Sequence, residues 1–296
     1  MNTRSSAMPF VILGILALIW GSSFILMKRG LVVFEPTHVA ALRVVVSGIV
    51  LLPFAIRAWK NVDKRLLKYL FLSGVLGNSI PAILFATAQR HLNSSTSALL
   101  NSLTPLFTLL IGVVVFKLSF RRTQVIGVLL GFVGAVALVM AAHNEAASGE
   151  TTWYALLPVL ATVCYGMNGN IVGRYLKGVP VMTINSIAIV SVTMLFLPYL
   201  VWSGFFTETI PAVQSHPQFA LALGSIVALS VLGTAFSNAL FTHLIQISSP
   251  VFSSSVTYLI PIVAIVWGVL DGEHLSALHG IGISIILVGI YLVNKR

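Results

Sequence analysis

Charged residues are scarce in this chain of 296 residues. Only 8% of the residues are Asp, Glu, Lys or Arg, and 57% are hydrophobic, whereas an ordinary soluble domain carries about 25% charged residues. Long apolar runs separated by short polar segments predict an all-α integral membrane protein. The apolar run after Arg4 resembles a signal peptide, but no small-residue cleavage site follows, so we predict that it forms the first span.

Acidic residues are especially few, and their positions argue against one transport mechanism. All seven are predicted to lie in loops or at span ends: Glu35, Asp63, Glu145, Glu150, Glu208, Asp271 and Glu273. Ion-coupled pumps usually carry a carboxylate inside the membrane. If the chain moves solutes, we therefore expect facilitated transport or weak coupling to the membrane gradient, and not stoichiometric proton antiport.

Signatures of catalysis, cofactors and metals are also missing. The sequence has no P-loop, which excludes ATP drive by this chain, and no G-x-S-x-G or H-E-x-x-H motif. The single Cys164 can form no internal disulfide, and no His/Cys spacing indicates a metal site. We predict no enzyme activity, no cofactor and no metal; an intramembrane lipid-modifying enzyme is the least favoured alternative.

Ten transmembrane helices are predicted, and the basic residues orient them. The spans cover residues 8–28, 36–57, 67–89, 92–116, 121–142, 152–174, 180–203, 218–244, 248–270 and 275–294. If the N-terminus is cytoplasmic, only Lys28, Arg29 and Arg90 lie outside, and every other Lys and Arg except Arg43 lies inside. This bias predicts cytoplasmic N- and C-termini. It also explains the net charge of +10 without nucleic acid, for which basic patches with interleaved aromatics are lacking.

The second half of the chain repeats the first. Trp20-Gly21 corresponds to Tyr165-Gly166 at an offset of 145, and Leu76-Gly77 corresponds to Leu232-Gly233 at an offset of 156. Because each half has five spans, an odd number, the second half must insert upside down. We predict two inverted five-helix repeats, residues 1–142 and 152–296, joined by an outward linker at 143–151.

Two polar spans interrupted by proline occupy corresponding places in the halves. In the span at 92–116, Ser97, Asn101 and Thr104 share one helix face, and Pro105 follows. In the span at 248–270, Thr257 and Pro261 fall at the matching positions. Such paired, broken helices indicate a transporter binding site, with Pro105 and Pro261 as hinges.

Polar and aromatic side chains within the spans supply the candidate substrate-binding residues. Aromatic residues could instead belong to the interfacial belt, and buried amides could instead join helices. The candidates are Trp20, Ser23, Asn78, Phe85, Asn101, Thr104, Tyr165, Asn168, Asn238, Thr257 and Tyr258.

Two further residues are candidate charge sites. Arg43 is the only cation inside a span; it could snorkel outward, pair with Glu35 or Glu273, or hold a substrate carboxylate. The structural role is favoured for Arg43. His243 could be a proton carrier, although a lone His is more often structural.

Spaced glycines mark the spans at 121–142 and 275–294. Small residues at this spacing let helices approach closely. The pattern indicates packing within the chain or a homodimer through these two spans.

At these residues the chain resembles the EamA family of the drug/metabolite transporter superfamily. The similarity includes LIWGSSFILMK (18–28), Arg43, the run from Phe85 to Gly112, and SSPVFSSSVTYLIPIVAIVWGVLDGEHLS with the GIGISIILVGIYLV tail. One departure is Lys117, where the family often has Glu; Glu273 keeps the acid in the second half.

The resemblance implies a ten-helix inverted-repeat carrier in a bacterial inner membrane that exports small metabolites, with amino acids, aromatic ones included, among the family's substrates. We expect an alternating-access exporter of amino acids and analogues, with a small-molecule substrate and the lipid bilayer as partners. A multidrug carrier and a purine or other metabolite carrier are the alternatives.

Overall fold

A computed structural model describes residues 7–92, 94–143, 153–270 and 277–294. All regular structure in these ranges is helical. The helices are α1 (Met8–Leu31), α2 (Pro36–Trp59), α3 (Lys64–Gln89), α4 (Ser94–Asn101), α5 (Thr104–Val114), α6 (Arg122–His143), α7 (Leu156–Tyr175), α8 (Val181–Trp202), α9 (Phe219–Ile247), α10 (Pro250–Ser254), α11 (Val256–Leu270) and α12 (Ala277–Asn294). A short helical segment, Phe205–Thr209 and Ile210–Val213, connects α8 to α9.

The helices have the length and surface of membrane spans. Within the described ranges, α1, α2, α3, α7, α8 and α9 are each long and apolar enough to cross a bilayer, and shorter apolar helices lie among them. Large apolar side chains such as Leu18, Ile49 and Met194 are exposed on the outer surface. Because helices satisfy their own backbone hydrogen bonds, such a surface suits the lipid interior.

The observed boundaries differ from the predicted spans mainly at the polar helices. The span predicted at 92–116 is two helices, α4 and α5, separated at Ser102 and Leu103, and the span predicted at 248–270 is interrupted at Ser255. Lys117 lies in the loop after α5. Residues 144–151 of the predicted linker, together with Asp271 and Glu273, lie outside the described ranges.

Helices from the two halves of the chain pack against each other. α2 packs along α8 and α6 along α12, while α1 contacts α9 and α11, and α7 contacts α3 and α5. Under the sequence repeat, α1 corresponds to α7, α3 to α9 and α5 to α11. Each contact of α1 with the second half therefore has a counterpart in a contact of α7 with the first half.

Glycines bring α6 and α12 together within the chain. A Cβ atom built on Gly127 would lie 2.6 Å from the carbonyl oxygen of Gly289, and one on Gly134 would lie 2.9 Å from that of Gly282. A side chain at either place would separate the helices. These glycines thus serve close packing between two helices of one chain, and a homodimer through the same helices stays a prediction.

Apolar clusters close both ends of the helix bundle around its middle. One cluster gathers the end of α1 and the starts of α2 and α9, with Met27, Phe34 and Ile226 in its core. Another gathers the start of α3 and the ends of α7 and α9, around Leu70 and Leu176.

Candidate functional site

The two interrupted helices meet at their breaks. Pro261 has no N–H, so the Thr257 carbonyl four residues earlier lacks its usual helical donor. The Ser102 hydroxyl, at the break between α4 and α5, donates to that carbonyl at 3.1 Å. In the first half the matching carbonyl, that of Asn101, accepts from the Thr104 hydroxyl at 2.7 Å. Side chains thus replace the backbone donors that proline removes.

A wider π-helical turn interrupts α3 at Val75–Ser79 and α9 at Val231–Phe236. Such turns are rare and frequently occur at functional sites. These two lie at the same place in each half, since Val75 and Val231 are 156 residues apart.

A glycine in each π-turn receives a polar side chain from the opposite half. A Cβ on Gly77 would lie 2.5 Å from Asn168 Nδ2, and a Cβ on Gly233 would lie 2.8 Å from Ser23 Oγ. The Trp20 indole N–H also donates to the Gly233 carbonyl at 3.0 Å. Close approach of α1 to α9 and of α7 to α3 therefore needs glycine at both positions.

These elements surround a cavity of about 90 Å³. One water molecule needs only roughly 10–15 Å³ measured in this way, so the cavity has room for several water molecules or for part of a small-molecule ligand. The lining residues are Trp20, Ser23, Phe24, Met27, Arg43, Gly77, Phe85, Asn101, Thr104, Tyr165, Asn168, Asn238, Phe241, Ser254, Thr257 and Ile260.

Aromatic rings form two sides of the cavity. Phe85 and Tyr165 lie nearly parallel with centroids 6.2 Å apart, and Phe24 meets Phe85 edge-on at 6.1 Å. Trp20 and Phe241, which also line the cavity, have centroids 5.3 Å apart. Flat or apolar ligand groups can pack against such faces.

Polar groups at the cavity differ in how many partners they have. Asn238 Nδ2 donates to Asn78 Oδ1, which joins α9 to α3. Asn168 Oδ1 is buried and has no hydrogen-bond partner among the described residues. Because a buried amide oxygen without a partner is costly, Asn168, which lines the cavity, is a candidate to bind a ligand or water.

Arg43 brings a positive charge to the cavity. It lies seven residues after the start of α2, about 10 Å along the helix, and its Nε donates to Thr234 Oγ1 in the π-turn of α9 at 2.7 Å. Glu35, one partner predicted for it, pairs instead with Arg90 at 3.4 Å. In the described ranges no carboxylate lies within ion-pair distance of Arg43.

The structure places most, but not all, of the predicted site residues around this cavity. Nine of the eleven line it, and Arg43 does as well. Asn78 lies behind Asn238. Tyr258 is fully buried away from the cavity, where its hydroxyl donates to the Val128 carbonyl of α6 at 2.7 Å. His243 is exposed and does not line the cavity.

Several lining residues are absent from the sequence prediction, although helical spacing points to them. Phe24 and Met27 follow Trp20 by four and seven residues and share its helix face. Phe241 follows Asn238 by three residues in the same way. These side chains are apolar, and the search for polar groups passed over them. No cluster of three or more His, Cys, Asp or Glu suited to a metal ion occurs among the described residues.

Comparison with known proteins identifies the family. The model of the EamA-like transporter family matches residues 8–140 and, a second time, residues 152–295. The chain belongs to the EamA-like transporter family. It is therefore a multi-pass membrane protein with a transport role, as the resemblance in the sequence implies.

Similar proteins span bacteria, archaea and plants. The uncharacterized inner membrane transporter YedA of Escherichia coli K12 is 27% identical, over 94% of this chain and 88% of its own. An uncharacterized transporter of Archaeoglobus fulgidus is 22% identical over 97% and 99%. The chloroplastic WAT1-related protein At3g02690 of Arabidopsis thaliana is 25% identical over 93% and 66%.

A solved structure described as a crystal structure of a protein superposes with a TM-score of 0.72. The two sequences are 15% identical, and the superposition covers 99% of this chain and 96% of the other. At this identity the likeness shows a shared fold and no more.

Proposed function

We propose that this EamA-family protein is an alternating-access exporter of amino acids, aromatic ones included, and of their analogues. The observation that carries the proposal is the cavity where the interrupted helices of both halves meet. It combines aromatic faces with amides and hydroxyls, which suits a small molecule with an apolar part and a polar end. Fold alone does not assign a substrate, so the proposal rests on this lining.

The proposed architecture is ten spans arranged as two inverted repeats with both termini in the cytoplasm. The paired contacts of α1 and α7 and the two matches to the family model support it. Substrate would bind between the repeats, and rocking of one repeat against the other would expose it to each side in turn. Reporter fusions to the C-terminus, active only in the cytoplasm, test the orientation.

Counterflow in liposomes tests the substrate. Purified protein is reconstituted and exchange is followed with labelled aromatic, branched and hydroxy amino acids, a purine and a quaternary cation. We expect exchange of one amino-acid class without an imposed gradient. Exchange of the purine or of the cation alone would replace the proposal by the corresponding metabolite or multidrug carrier.

Two substitutions test whether the substrate binds at the cavity. Asn101→Leu and Thr257→Leu remove polar groups from the interrupted helices and should abolish counterflow while insertion is retained. A matched control is Ser284→Ala on α12, whose exposed hydroxyl bonds only to the Gly280 carbonyl of its own helix. Unchanged flux in both leucine variants would move the binding site elsewhere.

A further inference from the structure

We propose that Arg43 is the anchor for an anionic group of the substrate, and that Thr234 positions its guanidinium. The inference rests on the proposed transport function and adds how the cargo is recognised: Arg43 binds its carboxylate or similar anion, which lies next to an apolar part. It starts from an unusual feature, a cation at a membrane cavity without a carboxylate beside it in the described ranges.

The fold does not require a cation at this position. The repeat offset of 145 matches Arg43 with Ala188 on α8, a buried residue whose backbone packs against Gly74 of α3. The equivalent place in the other half is thus filled without charge. A charged side chain inside a membrane is costly and usually functional, so the asymmetry points to the ligand rather than to packing.

The hydrogen bonds of Arg43 leave its outer nitrogens available. Among the described residues only Thr234 bonds it, through Oγ1 to Nε, and that bond directs the guanidinium plane. Thr234 itself is buried in the π-turn and donates to the Leu229 carbonyl at 3.3 Å, so its oxygen is held in place. The two Nη groups have no partner among the described residues and form the fork that binds a carboxylate in a bidentate manner.

Neighbouring polar groups lie at the same cavity. Tyr165 lines the cavity together with Arg43, and its phenol makes no hydrogen bond within the described chain. The Asn168 amide, three residues along the same helix, is also unpaired there, and its Oδ1 is buried. These groups could serve the rest of a polar head, while the rings of Phe85 and Tyr165 cover an apolar part. A quaternary cation would meet an uncompensated positive charge.

Counterflow inhibition by matched ligands provides the test. The ligands are an amino acid that the wild type exchanges, its N-acetyl derivative, which keeps the carboxylate, and the N-acetyl amide, which lacks it. The N-acetyl acid should compete and the N-acetyl amide should not. Equal competition by the two N-acetyl compounds would overturn the inference, and this readout requires no variant.

Substitutions of Arg43 and Thr234 then test whether these side chains cause the preference for the acid over the amide. Arg43→Gln should weaken the binding of carboxylate ligands by about 10- to 100-fold, the range for a lost hydrogen bond to a charged group. The N-acetyl acid and the N-acetyl amide should then compete equally. Arg43→Lys should keep part of the preference, because it retains charge without the fork. Thr234→Val should reduce the preference, and Thr234→Ser should restore it.

Controls separate the alternatives. Arg90→Gln removes an exposed positive charge that is paired with Glu35 and should leave the preference intact. If Glu273→Gln reproduces the loss seen in Arg43→Gln, Arg43 is one half of a structural ion pair and the inference fails. If the wild type exchanges no ligand, the proposed function itself fails; if it exchanges ligands but Arg43→Gln keeps the acid preference, only the inference fails.

Discussion

Polar side chains inside the spans fall into two groups with different roles. Some bind backbone groups of other helices: Asn170 Nδ2, for example, donates to the Thr108 and Gly166 carbonyls at 2.8 Å each and so ties α7 to α5. Others, such as Asn168, line the cavity. Inside a bilayer both arrangements hide polarity from lipid, so residue type and depth alone cannot separate them.

Two tyrosines provide a matched pair for this distinction. Tyr258→Phe should lower thermal stability by about 0.5–1.5 kcal/mol, because it removes a buried hydrogen bond to α6, and should leave substrate affinity unchanged. Tyr165→Phe, at the cavity, should weaken substrate binding and leave thermal stability unchanged. Thermal unfolding and counterflow inhibition of both purified variants give the comparison. A loss of affinity in Tyr258→Phe would return that residue to the binding site.

Much of the candidate site could be predicted because its residues fall at equivalent positions in the two halves of the sequence. Ser23 and Asn168, 145 residues apart, reach the glycines of opposite π-turns. The position of Tyr258 away from the cavity could not be predicted, because it depends on how the helix is rotated: the ring lies against Gly131 and the hydroxyl bonds Val128 of α6. Contacts between distant helices set that rotation, and a single sequence does not contain them.

The exact positions of the helix interruptions also could not be predicted from the sequence. The sequence locates the breaks by proline, but the helices separate at Ser102–Leu103 and at Ser255. Pro105 lies in the first turn of α5, where a missing N–H costs little, whereas Pro261 lies inside α11. The two prolines are equivalent in sequence and differ in the backbone bonds that they disrupt.

Exchange of each proline for alanine should therefore have unequal effects. Pro261→Ala restores an N–H that can bond the Thr257 carbonyl and compete with the Ser102 hydroxyl. We expect a stiffer α11, higher thermal stability and a several-fold lower maximal rate of counterflow. Pro105→Ala should change the rate much less. Equal slowing in both would show that the prolines act as equivalent hinges.

The contact between α6 and α12 depends on glycine at particular positions. A Cβ on Gly289 would lie 2.6 Å from the backbone nitrogen of Gly131, whereas one on Gly280, in the same helix, meets nothing within 4 Å. Gly289→Ala should cost about 1–3 kcal/mol through overpacking. Gly280→Ala should be neutral or slightly stabilising, since alanine favours helices. Thermal unfolding in detergent measures both, and equal melting temperatures would contradict this packing.

Over the whole molecule, the distribution of charge determines what can drive transport. The acids that the structure describes, Glu35, Asp63 and Glu208, all lie outside the long helices, whereas Arg43 lies at the cavity. A site with a fixed cation and no mid-span carboxylate has no evident group for exchanging protons against cargo. If the cargo bears a net negative charge, its movement alone carries current.

The membrane potential should then drive export. Moving one elementary charge through 100 mV is worth about 2.3 kcal/mol, which corresponds to a gradient of roughly 50-fold by the usual relation of about 1.4 kcal/mol per factor of ten. With an inside-negative potential, this force pushes an anion outward. In liposomes carrying a valinomycin-set potassium potential, efflux of the N-acetyl amino acid should rise as the interior becomes more negative, and that of a zwitterionic amino acid should change far less. Strong accumulation driven by a pH gradient at zero potential would instead require a proton-coupled carrier.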